Sequence, residues 1–257
     1  MLCLATRTTL PRDRRTWLRI GLPAVLGNVV PFILFGVGER TVSSGVAGVL
    51  NATTPLWALL IALVLRSERR PGPLRLVGLL LGFAGTLLIF APWQTGGLAS
   101  WGALACLIAA VSYAISYTYI GRKLVGTVSP IAMSGAQLSL ATGLTALTLP
   151  FGGLTPIRLT GALPIVAVAV LGICGTGIAF VLNNRLIADE GATAASSVGY
   201  LLPVVSVGLG ALVLHEPLTA RVVIGMAVVL IGIALSRRRA AGRTPVVEPE
   251  LATVEAG

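Results

Sequence analysis

Ionisable side chains are scarce in this sequence, and those present avoid its apolar runs. Of 257 residues 9 are acidic, 1 is histidine and 11% are charged, against 55% hydrophobic. A water-soluble domain of this length carries about a quarter charged residues, so soluble enzyme and soluble binding folds drop out. The acids are Asp13, Glu39, Glu68, Asp189, Glu190, Glu216, Glu248, Glu250 and Glu255, and none lies in the middle of an apolar run. His215 sits at a run's end. Ionisable groups inside a bilayer are costly and mark function. Without them there is no visible carboxylate relay for protons and no charged site for an ionic substrate. There is also no HExxH and no aspartate pair within a run, so the chain is read as not an enzyme. The three cysteines, Cys3, Cys106 and Cys174, have neither a disulfide framework nor metal-ligand spacing. No metal and no cofactor is expected. The opening MLCLATRTTLPRDRRTWLR has too little apolar content and no cleavage pattern for a signal peptide.

What fills the chain is apolar runs long enough to cross a membrane, about 20 residues each. Eight are read, at 18–36, 43–65, 74–91, 100–120, 129–150, 162–184, 192–214 and 219–236. They are long and lack strand alternation, and a backbone in lipid must satisfy its own hydrogen bonds. The expected fold class is an all-α polytopic membrane protein of about eight transmembrane helices. The separators are too short to hold a soluble domain. With the N-terminus inside, only Arg40, Arg158 and Arg221 fall outside; the other 16 of the 19 basic residues fall inside. That asymmetry predicts both termini in the cytoplasm of a cell-membrane protein. The net charge of +10 is then a topology signal, and no nucleic-acid partner is expected. The expected partners are the lipid bilayer and a small-molecule solute. Trp17, Trp93 and Trp101 sit at run ends, as interfacial aromatics do.

The runs repeat. ATTPLWALLIALVLRSERRPGPLRLVGLLLGFAGTLLIF (52–90) returns as YLLPVVSVGLGALVLHEPLTARVVIGMAVVLIGIAL (200–235). Pro55 matches Pro203 and Glu68 matches Glu216 at an offset of 148, so each Pro-to-Glu interval is 13 residues. After one extra residue in the RPGP turn the offset is 147, pairing Gly78 with Gly225 and Gly85 with Gly232. An odd number of runs separates the copies, so they are inverted in the membrane, an arrangement typical of secondary transporters.

Both copies, taken with the residues that precede them (GVAGVLNATTPLW and GATAASSVGYLLPVV), resemble the closing half of an EamA repeat, of the drug/metabolite transporter superfamily. The resemblance covers most of the chain between Trp17 and Arg237. It implies two five-helix repeats around a cavity of alternating access. It also implies transport of small metabolites, amino acids or drug-like solutes, often as export. Here the second repeat has five runs, in 98–236, and the first only three, in 17–91, matching the third to fifth. Residues 1–16 form a basic cytoplasmic segment, Arg7–Arg19 resemble the cytoplasmic loop that follows the second helix, and 237–257 form a basic, then disordered cytoplasmic tail. The two unmatched helices leave three expectations open: a start upstream, a degenerate copy, or a gap filled by another chain. The last allows a homodimer, or a non-transporting subunit that needs a partner.

With no charge inside the runs, the candidate site is neutral. Tyr113, Ser116 and Tyr117 share one helix face at i, i+3, i+4. Gln137 is central in its run, and Asn183 is late in the next but one from Tyr113. Asn28, Asn51, Trp57 and Tyr200 complete the set of candidate cavity-lining residues. Hydrogen-bonding and aromatic groups of this kind suit a small amphipathic solute; the same groups also glue membrane helices together. Pro55 and Pro203 are matched helix breaks, which point to a binding site or only shape packing. Glycines 78, 82 and 85 form a stripe for close helix approach. Glu68 and Glu216 are expected to cap the helices that follow them.

Overall fold

The computed structural model describes residues 8–66, 72–94, 98–147, 162–213, 215 and 218–237. Among these there is no strand, and eight helices stand where the eight apolar runs are. They are α1 (Arg14–Gly38), α2 (Ser44–Val64), α3 (Pro73–Phe90), α4 (Trp101–Lys123), α5 (Pro130–Ala146), α6 (Pro164–Glu190), α7 (Ala192–Val213) and α8 (Ala220–Arg237). Six have the length and apolar composition to cross a membrane: α1, α2, α4, α6, α7 and α3 continued to Gln94. Of the other two, α5 is 17 residues and the apolar part of α8 is Ala220–Ser236. The chain is an all-α polytopic membrane protein.

Starts are set by short polar side chains that accept from the first free backbone N–H groups. Asp13, Ser43, Ser100 and Ser129 cap α1, α2, α4 and α5 in this way. The α4 C-terminus ends on Arg122 and Lys123, which favour the negative end of the helix dipole. One residue, Gly191, joins α6 to α7 with φ 92°, a conformation glycine adopts without Cβ strain. Helix α6 runs six residues past its expected end at 184. Its last turns, Asn183–Glu190, are polar but helix-competent, and an Arg185–Asp189 pair at 3.6 Å spans i,i+4 there. The expected caps Glu68 and Glu216, the segment holding Arg158 and the tail from 238 lie outside the described residues.

Helices α3 and α8 pack antiparallel on their glycines. A Cβ built on Gly78 would lie 2.6 Å from the Gly232 carbonyl, and one on Gly85 would lie 2.7 Å from that of Gly225. Because Gly78 matches Gly225 and Gly85 matches Gly232, each contact is the image of the other. Mutual exchange of this sort is the signature of a two-fold axis. Backbones this close exclude any larger side chain, which is how small residues drive helix association in lipid.

The breaks are matched too. Helix α1 widens to a π-turn at Val25–Val29, and α6 does so at Leu171–Ile178. Helix α2 is interrupted at Ala52–Thr53 before Pro55, and α7 is a 3-10 turn at Val198–Tyr200 before Pro203. Ala52 and its counterpart Tyr200 share one buried cluster with Leu59, Leu79, Ile89, Val229 and Ile233. A second cluster joins α1 and α4–α7 through Ile20, Ile120, Leu124, Met133, Ala136, Ile187 and Ala195.

Candidate functional site

Helix α1 approaches α4 and α5 at Gly27, where a Cβ would lie 2.5 Å from Ser116 Oγ and 3.2 Å from Gln137 Nε2. The glycine therefore admits two polar side chains to the helix backbone. Gly27 lies within the π-turn and Pro23 one turn before it; the π-turn and Pro23 both loosen the helical ladder, and the Pro23 carbonyl accepts from Gln137 Nε2 at 3.3 Å. The same nitrogen donates to Asn28 Oδ1 at 2.7 Å. On the far side of Gln137, Asn184 Nδ2 lies 3.5 Å from its Oε1 and donates to Ser134 Oγ at 2.8 Å. Ser134 in turn donates to the Pro130 carbonyl at 2.8 Å. Ser112 ties α4 to α1 by donating to the Leu26 carbonyl at 2.7 Å. A chain of side-chain amides thus runs from α1 through α5 to α6.

All of these polar groups are buried; Asn28 and Ser116 have no exposed surface. Even so, Asn28 Nδ2, Ser116 Oγ and Asn184 Oδ1 have no hydrogen-bond partner among the described residues. An unsatisfied buried polar atom costs on the order of 1–3 kcal/mol, and folded proteins keep few. Three around one glutamine mark a place where the fold holds polarity in reserve. Beside it lies a cavity of about 340 Å³, lined by Ile120, Leu124–Pro130, Met133, Asn184 and Ala188. None of the described residues on the cavity wall is ionisable. It opens where α4 ends and α5 begins, so Asn184 belongs both to the amide chain and to the cavity.

The other candidates fall into two groups. Tyr113 and Tyr117 stack at 6.0 Å along α4, with Phe35 of α1 at 6.4 Å from Tyr113. The Asn183 side chain lies beside the Tyr117 phenol, so the two adjacent asparagines of α6 serve different neighbours. Asn51, Trp57 and Tyr200 sit instead at the matched breaks. Thr54 Oγ1 donates to the Asn51 carbonyl at 2.7 Å, and Trp57 Nε1 donates to Thr53 Oγ1 at 3.2 Å. Tyr200 is 1% exposed, with its ring over Gly82, whose Cβ would lie 2.6 Å from it, and its hydroxyl has no partner. Pro55 and Pro203 are buried at the restart of their helices. Sequence reasoning missed Asn184 and Ser134. Ser134 stands three residues before Gln137 and shares its face, the spacing that marks Tyr113 and Ser116 on α4. Among the described residues no group of three or more His, Cys, Asp or Glu is placed to hold a metal ion.

A multi-pass helical bundle with matched, exchanged glycine contacts and a buried neutral polar site has the construction of a membrane transport protein. Comparison with known proteins makes this specific: residues 1–91 and 100–238 match the EamA-like transporter family, and the chain belongs to that family. It is 29% identical over 219 residues to an uncharacterized transporter of Archaeoglobus fulgidus, covering 84% of this chain and 75% of the relative. It is 30% identical over 200 residues to the uncharacterized inner membrane transporter YedA of Escherichia coli K12, covering 73% of this chain and 62% of YedA. To the uncharacterized transporter YvbV of Bacillus subtilis it is 26% identical, covering 63% of this chain and 53% of YvbV. A solved crystal structure shares the fold with a TM-score of 0.77 over 92% of this chain and 82% of the other, at 22% identity.

Proposed function

We propose that the protein is a secondary transporter that moves a small metabolite, amino acid or drug-like solute across the cell membrane, as an exporter, by alternating access. Residues 17–91 and 98–236 act as two inverted repeats that rock about the α3–α8 glycine contact. The arginine distribution supports a cytoplasmic position for both termini and for the mouth of the cavity beside Asn184. The observation that carries this reading is the amide chain Asn28–Gln137–Asn184, buried between three helices with free polar atoms and a cavity at one end. The substrate-facing set is Asn28, Ser116, Tyr117, Gln137 and Asn184. Tyr113 and Asn183 flank it, and Asn51, Trp57 and Tyr200 tune the matched breaks. Purified protein in proteoliposomes, assayed with a panel of labelled amino acids, nucleobases and drugs, should move at least one of them. Gln137→Ala should lower that flux tenfold or more, while Ser139→Ala, on an exposed face of the same helix, should leave it unchanged. Absence of flux for the whole panel would sink the reading.

One observation favours a second reading, a subunit that works with a partner such as a second copy. Helix α1 is covered by α4 and α5 along its length, but of its counterpart α6 the described residues cover mainly the second half, Ala179–Glu190, and none of its apolar window is buried. Cys174 is exposed on that bare stretch, and Cys106 is buried. In a Cys3→Ser background, a bifunctional maleimide should join Cys174 to Cys174 if two copies meet there. Monomers alone would remove the homodimer.

A further inference from the structure

The amide chain has a fixed hydrogen-bond direction, because Gln137 in its middle and Ser134 beyond Asn184 each donate to a backbone carbonyl, which only accepts. The Pro23 carbonyl requires a donor, so the Gln137 atom facing it is Nε2. That nitrogen also faces Asn28, so the Asn28 atom there is Oδ1. At the other end the Pro130 carbonyl takes the Ser134 hydroxyl proton. Ser134 Oγ then accepts from Asn184, whose facing atom is Nδ2, and that nitrogen lies toward Gln137 Oε1. Turning over any single amide would set donor against donor or acceptor against acceptor. The atoms left over are therefore determined: a free donor at Asn28 Nδ2 and a free acceptor at Asn184 Oδ1.

The two asparagines that carry these atoms meet opposite ends of one carboxamide. Gln137 bridges the asparagines, presenting nitrogen to Asn28 and oxygen to Asn184. A second carboxamide alongside it in the opposite sense would present oxygen to Asn28 and nitrogen to Asn184, pairing both free atoms. Ser116 Oγ, near the Asn28 end across Gly27, is a further free hydroxyl. Asn184 also lines the cavity, and none of the described residues on its wall is ionisable. A carboxylate would match the Asn28 end, meet the Asn184 acceptor with another acceptor, and have no counter-charge on the cavity wall.

We propose that Asn28, Gln137 and Asn184 form a selectivity site for an uncharged carboxamide or lactam edge, with Asn28 as donor and Asn184 as acceptor. This rests on the reading of the amide chain as the solute site. A site built to hydrogen-bond a donor rejects the analogue that lacks it far more strongly than it rejects a change of size. The test is competition binding to the full chain in lipid nanodiscs with three isosteric probes: nicotinamide, 3-acetylpyridine, which keeps the carbonyl and loses the N–H, and nicotinate. The expected result is saturable nicotinamide binding, with each of the other two at least tenfold weaker. Asn184→Leu should bring nicotinamide down to the level of 3-acetylpyridine without changing the weak binding of 3-acetylpyridine; a merely structural role would weaken all probes alike. The comparison of probes on the unaltered protein stands even if that variant does not fold. Equal binding of the three probes, or preference for nicotinate, overturns the proposal. If none of the three binds while another solute is moved in proteoliposomes, the carboxamide assignment fails and the transporter reading survives. If nothing binds and nothing moves, both fail.

Discussion

Helix α1 widens into a π-turn at Val25–Val29 and helix α6 at Leu171–Ile178, and their glycines Gly27 and Gly175 match at the 148-residue offset of Pro55 and Pro203. Around the first turn, Gly27 is pressed against Ser116 and Gln137. Around the second, a Cβ on Gly172 would meet nothing within 4 Å, and one on Gly175 would touch only Leu171 of its own helix. The local backbone is shared, and the surroundings are not. A π-turn with a glycine is thus a property of the repeat, whereas a polar site exists only where a second helix pair supplies Gln137 and Ser116. The difference teaches that repeat symmetry sets where a site is allowed, and asymmetric packing decides which copy carries it.

The largest effect is expected where the symmetry itself is made. Gly232→Leu would place its Cβ 2.5 Å from the Gly82 nitrogen and 2.7 Å from the Gly78 carbonyl. These are backbone atoms that cannot rotate away, so the cost should reach or exceed the roughly 3 kcal/mol upper end of overpacking. The variant should be lost from the monodisperse peak in detergent size exclusion. Gly172→Leu, on the bare first half of α6, should be recovered like the parent; equal loss of both would mean that this stretch is covered after all.

Next is the direct contrast of the matched glycines. Gly27→Ala needs Ser116 Oγ to turn away, and the Ser116 Cβ, 3.2 Å from the new methyl, stays. A destabilisation of about 1–3 kcal/mol is expected, seen as a lower midpoint of thermal unfolding. Gly175→Ala meets only the tip of Leu171, and alanine is the better helix former by about 1 kcal/mol, so its midpoint should hold or rise. A fall of the same size in both would dissolve the distinction between the two copies.

The polar pair at the next position gives a smaller difference. Asn28→Leu leaves Gln137 Nε2 with the 3.3 Å Pro23 bond alone, worth about 1 kcal/mol net. Its counterpart Thr176 is exposed and bonds only its own helix, at Leu171, at 3.4 Å. Thr176→Leu should stay within about 0.5 kcal/mol of the parent. Comparable shifts for both would place a partner helix over Thr176.

The helices were legible because each apolar run is long enough to span a bilayer and few residues interrupt them. The repeat was legible from Pro55, Pro203 and the two glycine pairs, which keep nearly fixed offsets. Asn28 and Gln137 were each legible as polar residues in apolar runs. Their pairing was not, because they are 109 residues apart and meet only through the approach at Gly27. Asn183 and Asn184 show a finer limit. Neighbouring helical residues point about 100° apart, so one faces Tyr117 and the other Gln137, and an Asn-Asn dipeptide does not say which. The uncovered state of the apolar first half of α6 had no local signal, since a bare apolar helix and a lipid-facing one read alike.

The helix starts offer the smallest effect and a last way to separate the copies. Asp13 Oδ2 accepts from Thr16 N at 2.7 Å, whereas the first segment of α6 has no side-chain cap. Hydrogen bonds from Thr16, side chain and backbone, hold the Asp13 carboxyl below its ordinary 3.8, and Arg19 adds attraction. A lowered folded-state value means that the stabilisation is fully present above 3.8 and is lost as pH falls through the folded value. The start of α1 should therefore fray on acidification below that range. Amide hydrogen exchange, corrected for its intrinsic pH dependence, should quicken at 14–18 between pH 5 and pH 2.5. Asp13→Asn keeps a capping oxygen that does not titrate and should flatten that slope. If the slope persists in the variant, the cap is not its source. Asn28, Ser116, Gln137 and Asn184 carry no titratable group, so solute binding should be level from pH 4 to pH 8 while the helix end responds only below it. A transition in binding near neutrality would point to an ionisable residue outside the amide chain.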